Sequence, residues 1–354
     1  MGLIRFFLAI SVIFSHLNIV GVFTGGGIAV QSFYIISGFF VALMFDVSPA
    51  YGNISKFYRS RLLRIFPIYY VVFLISVVFV IVFGIPGLPN GKELFLNFNI
   101  ETKFLIVFSN IFIFFQDWIM FLGWNNGALS FVSHFSMSEP PLYNFLLVPQ
   151  AWSLAIELSF YLISPFLVRC KTNWLVFLVV VGLLLRVIFY KNGLFEDPWS
   201  YRFFGLELFT FLIGMLSYRM YRKAKDKKWN IINNKKIGAS SLIFMLTFAI
   251  SLKSLPVPVK MLAPFFYLSV FVLLPIIFNF TKSNKLDRFI GELSYPLYVV
   301  HILVINMANF IFGDSINTSY YSIFVLLISV LASIILNLMI QNKIDNYRSK
   351  IKVL

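Results

Sequence analysis

The sequence predicts an all-α fold, a polytopic bundle of membrane-spanning helices, on three observations. Of 354 residues, 60% are apolar and only 12% are Asp, Glu, Lys or Arg, against roughly 45–50% and about 25% in soluble domains. Mean hydropathy is +0.87 and phenylalanine alone occurs 44 times, a load that lipid tolerates and a water-facing surface does not. Apolar windows of about the 20 residues needed to cross a bilayer recur along the chain. An ordinary soluble enzyme is excluded. Residues 1–345 read as one membrane domain and 346–354 as a cytoplasmic tail.

Eleven apolar windows follow in order, near residues 4–23, 28–45, 67–87, 104–121, 151–168, 174–190, 203–219, 237–252, 261–280, 290–312 and 320–340. The first resembles a secretory signal, but its run of about 18 residues carries Ser15, His16 and Asn18 and lacks an Ala-x-Ala cleavage site, so it is expected to be retained as a helix. Phe6 stands where N-myristoylation needs Ser or Thr. Gly25, Gly26 and Gly27 read as a tight turn, and no phosphate-binding fingerprint follows them.

The net charge is +15, and in a membrane protein such an excess reports orientation first. Four basic groups mark the cytoplasmic side: Lys56 to Arg64, Arg219 to Lys236, Lys282 to Arg288 and Lys343 to Lys352. Both termini are then expected in the cytoplasm. Counting forward from the N-terminus places loop 88–103 outside. Counting back from the C-terminus places loop 122–150 outside as well, and that loop has no Lys or Arg. Both hold only if window 104–121 does not cross. Its Asn110, Gln116 and Asp117 are costly in lipid, which predicts ten spanning helices plus one re-entrant or interfacial segment; the alternative is that all eleven cross. The residues around 222–236 read as the one linker-like stretch. Nucleic acid is not an expected partner, since the basic residues sit in short runs between spans and form no continuous face.

An ionisable side chain inside a span costs roughly 2.5 kcal/mol or more, so each invites a functional reading. Arg5 and His16 are eleven residues apart and fall within about 20° of one helix face, some 16 Å along the axis. An arginine at the rim and an imidazole near mid-membrane would define two ends of a path; a snorkelling arginine and a packing histidine are the plain alternative. Histidine suits removal of a hydroxyl proton near neutral pH. His16, His134 and His301 are too far apart in sequence for a metal cluster, so no metal is expected. No GxSxG elbow supports a serine triad, and His134 is expected to be solvated.

Arg61 and Arg64, three apart before Pro67, would share a helix face and can grip phosphates bidentately, as a nucleotide-bearing donor from the cytosol would require. In SFYIISGFF, Ser37 and Gly38 would let a neighbouring backbone approach closely. AWSLAIELSFY places Trp152 at the outer interface and Glu157 inside, with Tyr161 on the same face. That carboxylate either orients an imidazole or pairs with an arginine for structure. Ser294, Tyr298 and His301 form one polar stripe that should face the protein interior. The single cysteine, Cys170, reads as inert at a helix end.

Taken in order, Arg5 and His16, SFYIISGFF, RLLR with IFPIYY, WSLAIELSFY and SYPLYVVH ending at His301 resemble the acyltransferase-3 family of integral membrane acyltransferases over nearly the full chain. The resemblance implies a ten-span protein of the bacterial inner membrane that moves an acyl group, usually acetyl, from cytoplasmic acetyl-CoA to a hydroxyl of a surface glycan or lipid-linked sugar, such as lipopolysaccharide O-antigen. It implies His16 as the catalytic histidine, Arg5 as its motif partner, and Arg61 and Arg64 in handling the donor. With Leu354 as its last residue, the chain is expected to lack the soluble hydrolase-like domain of larger members, and Ser15 stands where many carry a second histidine. A transporter or flippase for a lipid-linked glycan is the competing expectation, weakened by the lack of paired halves. A scaffold subunit would not need polar residues at mid-membrane.

Overall fold

A computed structural model describes residues 1–17, 19, 23–125, 127–313 and 318–353; Asn18 and Leu354 lie outside them. The α-helices are, in order, α1 (Gly2–His16), α2 (Gly26–Val47), α3 (Ile54–Phe83), α4 (Gly91–Asn97), α5 (Ile100–Phe112), α6 (Trp152–Arg169), α7 (Thr172–Lys191), α8 (Phe204–Asp226), α9 (Asn230–Asn233), α10 (Lys235–Ser251), α11 (Val259–Thr281), α12 (Lys285–Phe312), α13 (Thr318–Leu336) and α14 (Asn342–Val353). A π-helical turn at Asn337–Gln341 joins the last two. Asparagine side chains begin several of them by accepting backbone amides: Asn53 from Ser55, Asn99 from Thr102, Asn234 from Lys236 and Asn284 from Asp287.

Eight helical segments among the described residues are long and apolar enough to cross a membrane, those built on α2, α3, α6, α7, α10, α11, α12 and α13. The protein is therefore a multi-pass membrane protein. At 15 residues α1 falls short of that length, and the 23 residues of α8 end in a run of charges.

Small residues set the closest contacts. A methyl group on Gly38 of α2 would strike the carbonyl of Phe211 in α8, and one on Gly214 of α8 would strike the carbonyl of Ile35 in α2. The close approach expected at Gly38 is thus present and reciprocated. Gly2 and Gly291 meet in the same way between α1 and α12. There Asp287 of α12 also accepts the amides of Gly2 and Leu3 at 2.8 and 3.0 Å, a borrowed carboxylate capping the start of α1. At the other end of α1, the ring of His16 lies 5.2 Å from that of His301. The two helices therefore run parallel.

That direction bears on the fourth window. It folds as α5, ending at Phe112, after which Ile113 and Phe115 take positive φ and a 3-10 turn covers Trp118–Phe121. Thirteen residues span about 20 Å, short of the roughly 30 Å hydrocarbon core. The short α5 and the parallel run of α1 and α12 agree with the ten-span expectation better than with eleven crossings. Buried hydrogen bonds explain the turn: Gln116 donates to the Tyr69 hydroxyl and the Ser109 carbonyl, and Asn110 ties α5 to Phe145 and Leu147.

Other expectations need correction. The third window, placed near 67–87, lies in a helix that starts earlier: α3 is continuous over 30 residues from Ile54, with Pro67 inside it. The 222–236 stretch is mostly helix, in α8, α9 and α10. The outer loop contains a two-stranded antiparallel hairpin, β1 (Leu122–Asn125) with β2 (Ala128–Phe131), closed by Gly127 at φ 79°. Gly26 and Gly27 belong to the first turn of α2; only Gly25 takes positive φ there. His134 is half-buried against Phe135, with rings 4.6 Å apart, and is not free in solvent.

Two predictions follow from this packing. Gly38→Ala should force α2 and α8 apart and cost about 2 kcal/mol or more, read as a lower thermal midpoint in detergent. Burial pushes the Asp117 carboxyl up to about 7, so the folded protein keeps a proton that the unfolded chain releases near pH 4. Stability should fall as pH rises from about 4 to 7 and level off above. Asp117→Asn should flatten that slope and raise the midpoint at pH 8 relative to the parent, with the gain shrinking towards pH 5.

Candidate active site

The basic groups gather at one end of the bundle. Arg222 pairs with Asp46 at 2.6 Å, joining the ends of α8 and α2. Arg219 donates to the Val168 carbonyl and the Thr172 hydroxyl where α6 passes into α7, and Arg348 of α14 donates to the Ser60 carbonyl of α3 at 3.0 Å. Here a cavity of about 650 Å³ opens between α1, α2, α3, α6, α12 and α14. Arg5, Arg61, Arg64, Lys282, Arg288 and Arg348 line it, with Ser37, Glu157 and Tyr161 deeper, and it ends against Phe33, Ser153 and Tyr298.

Three of these arginines lack a carboxylate. Among the described residues no ion pair involves Arg5, Arg61 or Arg64. Arg61 is only 5% exposed, leaves its Nε unpartnered and lies against the rings of Phe57 and Tyr161 at 5.9 and 5.4 Å. Glu157, which could have met it, accepts the hydroxyls of Ser37 and Tyr161. Helical spacing places both Arg61 and Arg64 on the cavity wall, and the reach of α1 places Arg5 there too.

His16 and His301 lie outside this cavity. Tyr298 forms the wall between, its ring 5.7 Å from that of His301 and 6.3 Å from that of Phe33. Its hydroxyl is fixed to Ser153 at 2.7 Å and to the Gln150 carbonyl at 3.0 Å. Ser294, Tyr298 and His301 are all buried, as their stripe predicts, and His16 is exposed at the opposite end of α1 from Arg5. Glu157 contacts neither imidazole by any hydrogen bond among the described residues. Cys170 follows the last residue of α6.

Beside His16 stands a residue that the sequence reading missed. Arg202 is close enough for its charge to reach the imidazole, and Asp197 holds its guanidinium with two hydrogen bonds of 2.5 and 3.0 Å. Burial works against the Arg202 charge, yet Tyr201 and Asp197 keep it more basic than usual. The guanidinium lies 4.3 Å over the ring of Trp152. Trp152 is buried, 6% exposed, and the loop carrying Tyr201 and Arg202 folds over it. A second missed group anchors that loop. Glu207 accepts from Gln31 and Arg186, both of which also reach the Ser200 carbonyl, and Tyr267 donates to Gln31. Glu207 and Arg186 lie within apolar windows, so the cost argument that singled out His16 could have found them.

A helical membrane bundle with a cation-lined cavity at one end and a histidine pair beyond its inner wall defines a membrane group-transfer protein. The acyltransferase domain family profile matches residues 1–338, and the chain belongs to that family. Two curated relatives are similar to it. "Putative peptidoglycan O-acetyltransferase YrhL" of Bacillus subtilis (strain 168) is 30% identical over 229 residues, which cover 60% of this chain and 31% of that protein. "Putative acetyltransferase ORF330" of Acidianus two-tailed virus is 25% identical over 328 residues, covering 85% of this chain and 81% of that protein. The match thus spans about a third of the length of the Bacillus relative. No solved structure matches the chain.

The unpaired guanidinium of Arg61 should be a stability cost. Arg61→Met, similar in bulk and uncharged, should raise the thermal midpoint of the ligand-free protein, by about 1–2 kcal/mol in stability, read by differential scanning fluorimetry in detergent.

Proposed function

We propose that this acyltransferase is a membrane O-acyltransferase that moves an acetyl group from cytoplasmic acetyl-CoA to a hydroxyl of a bacterial surface glycan, such as O-antigen or peptidoglycan. The observation that carries the reading is the set of unpaired arginines, Arg5, Arg61 and Arg64, in a cavity leading toward the histidine pair. A buried cation without a counter-ion is costly, and an anionic ligand removes the cost. The relatives' names supply acetyl as the group and, for the Bacillus protein, peptidoglycan as the acceptor.

The residues fit such a donor. Its phosphates would meet Arg61, Arg64, Lys282 and Arg348 at the mouth. Its apolar arm would run past Phe40 and Tyr295 toward Tyr298. His16, exposed on the far side, would take the proton of the acceptor hydroxyl as that oxygen attacks the thioester carbonyl. The carbon–sulfur bond breaks, and the departing thiolate recovers the proton from the imidazolium. Arg202, close by, would favour an anionic acceptor or intermediate over a cationic one. The basic end faces the cytoplasm of the bacterial inner membrane in this reading. α1 and α8 join the eight long segments to make ten crossings, an even number that returns the chain to the side where it began.

His16→Ala, expressed at parental levels, should abolish alkali-labile acetate on the surface glycan, measured by mass spectrometry of glycan from cells with and without the protein. Unchanged ester content would overturn the enzyme reading, and loss of glycan export with esters intact would mark a transporter.

A further inference from the structure

We propose that His301 is the positioning partner of His16, its Nε2 accepting the N–H of the His16 ring so that the other His16 nitrogen faces the acceptor hydroxyl. The inference rests on the acyl-transfer reading above and assigns the group that orients its base.

The argument starts from the protons of His301. Its Nδ1 lies 2.6 Å from the Tyr298 carbonyl oxygen. A carbonyl can only accept, so Nδ1 carries the hydrogen and, in the neutral ring, Nε2 presents a lone pair. The side chain is 0% exposed and Nε2 has no hydrogen-bond partner among the described residues. An orphaned buried acceptor of this kind is rare and costly. The ring of His16 is its neighbour, with centroids 5.2 Å apart and planes at 41°. His16 has no hydrogen bond of its own among the described residues and is exposed on its other side, so rotation of its ring can bring an N–H onto Nε2. Such contacts are often loose before substrate binds.

The surroundings support a positioning role. Tyr298 is tied to Ser153 and Gln150 of the α6 entry, so the carbonyl that sets the His301 tautomer is itself held. The carboxylate that could have oriented His16 is engaged elsewhere, since Glu157 serves Ser37 and Tyr161. In the transfer step the hydroxyl proton passes to the free nitrogen of His16. The resulting imidazolium is steadied by the Nε2 lone pair of His301 until the thiolate takes the proton, and His301 itself neither gains nor loses one.

Two substitutions separate this role from a structural one. His301→Asn keeps a donor for the Tyr298 carbonyl and removes the acceptor; His301→Gln keeps an oxygen acceptor near the Nε2 position and gives up the bond to Tyr298. Initial rates are read with tritiated acetyl-CoA in inverted vesicles carrying the native glycan acceptor, at matched protein levels. The expected result is that kcat falls about 100-fold in the Asn variant and stays within about tenfold of the parent in the Gln variant, with the KM for acetyl-CoA unchanged within about twofold in both. The reverse order, or an Asn variant at the parental kcat, would overturn the proposal while acyl transfer stands. His16→Ala at the parental rate in the same vesicles would remove the acyl-transfer reading, and this proposal with it.

Discussion

The arrangement depends on how α1 lies against α12. Gly2 and Gly291 bring the two backbones together, and Asp287 clasps the first amides of α1, so the helices start level and run in one direction. Every consequence for chemistry follows from that alignment. Arg5, one turn in, reaches the cavity, and His16, about 16 Å further on, arrives beside His301. A shift of α1 by one residue would turn both side chains by about 100° and separate the imidazoles.

The charged groups divide by whether they are paired. Arg186 with Glu207 and Arg202 with Asp197 have their counter-ions and hold the loop over Trp152 in place. Arg5, Arg61 and Arg64 have none and line the cavity. In a low-dielectric interior the first group accounts for itself as structure, whereas the second makes no ion pair among the described residues and shares its cavity with Glu157 and Glu292, an arrangement that the proposed anionic donor would complete. The same contrast holds for the histidines: Nδ1 of His301 is spoken for and its Nε2 is not.

Much of this was legible in the residues because membrane solvation makes hydropathy and charge unusually informative. The positions of His16, Glu157 and His301 stood out as costs that lipid would not permit without reason, and the Asn110–Asp117 polar cluster marked the window that folds into the short α5 and a 3-10 turn. What could not be read were contacts between segments distant in sequence. Nothing local to Tyr201–Arg202 says that the pair will fold over Trp152, and nothing in Arg348 says that the chain's last helix will return to Ser60. Boundaries were misjudged where a local signal was overridden. The third window was placed near residue 67, yet α3 begins thirteen residues earlier with the Asn53 cap, and the Asn-Gly ahead of Ala128 was a hairpin signal passed over among so many helices.

The length of α3 has a further consequence. Thirty residues of helix extend about 45 Å, and the hydrocarbon core takes up only about 30 Å of that. With the proposed orientation its first ten residues, through Arg61 toward Arg64, would stand as a pillar beyond the bilayer, braced by α14 through Arg348. The entrance would thereby be lifted clear of the headgroup layer, whose anionic surface would repel a polyphosphate. The proposed donor, bearing several negative charges, would then meet the protein's own cations first, above the negatively charged lipid plain.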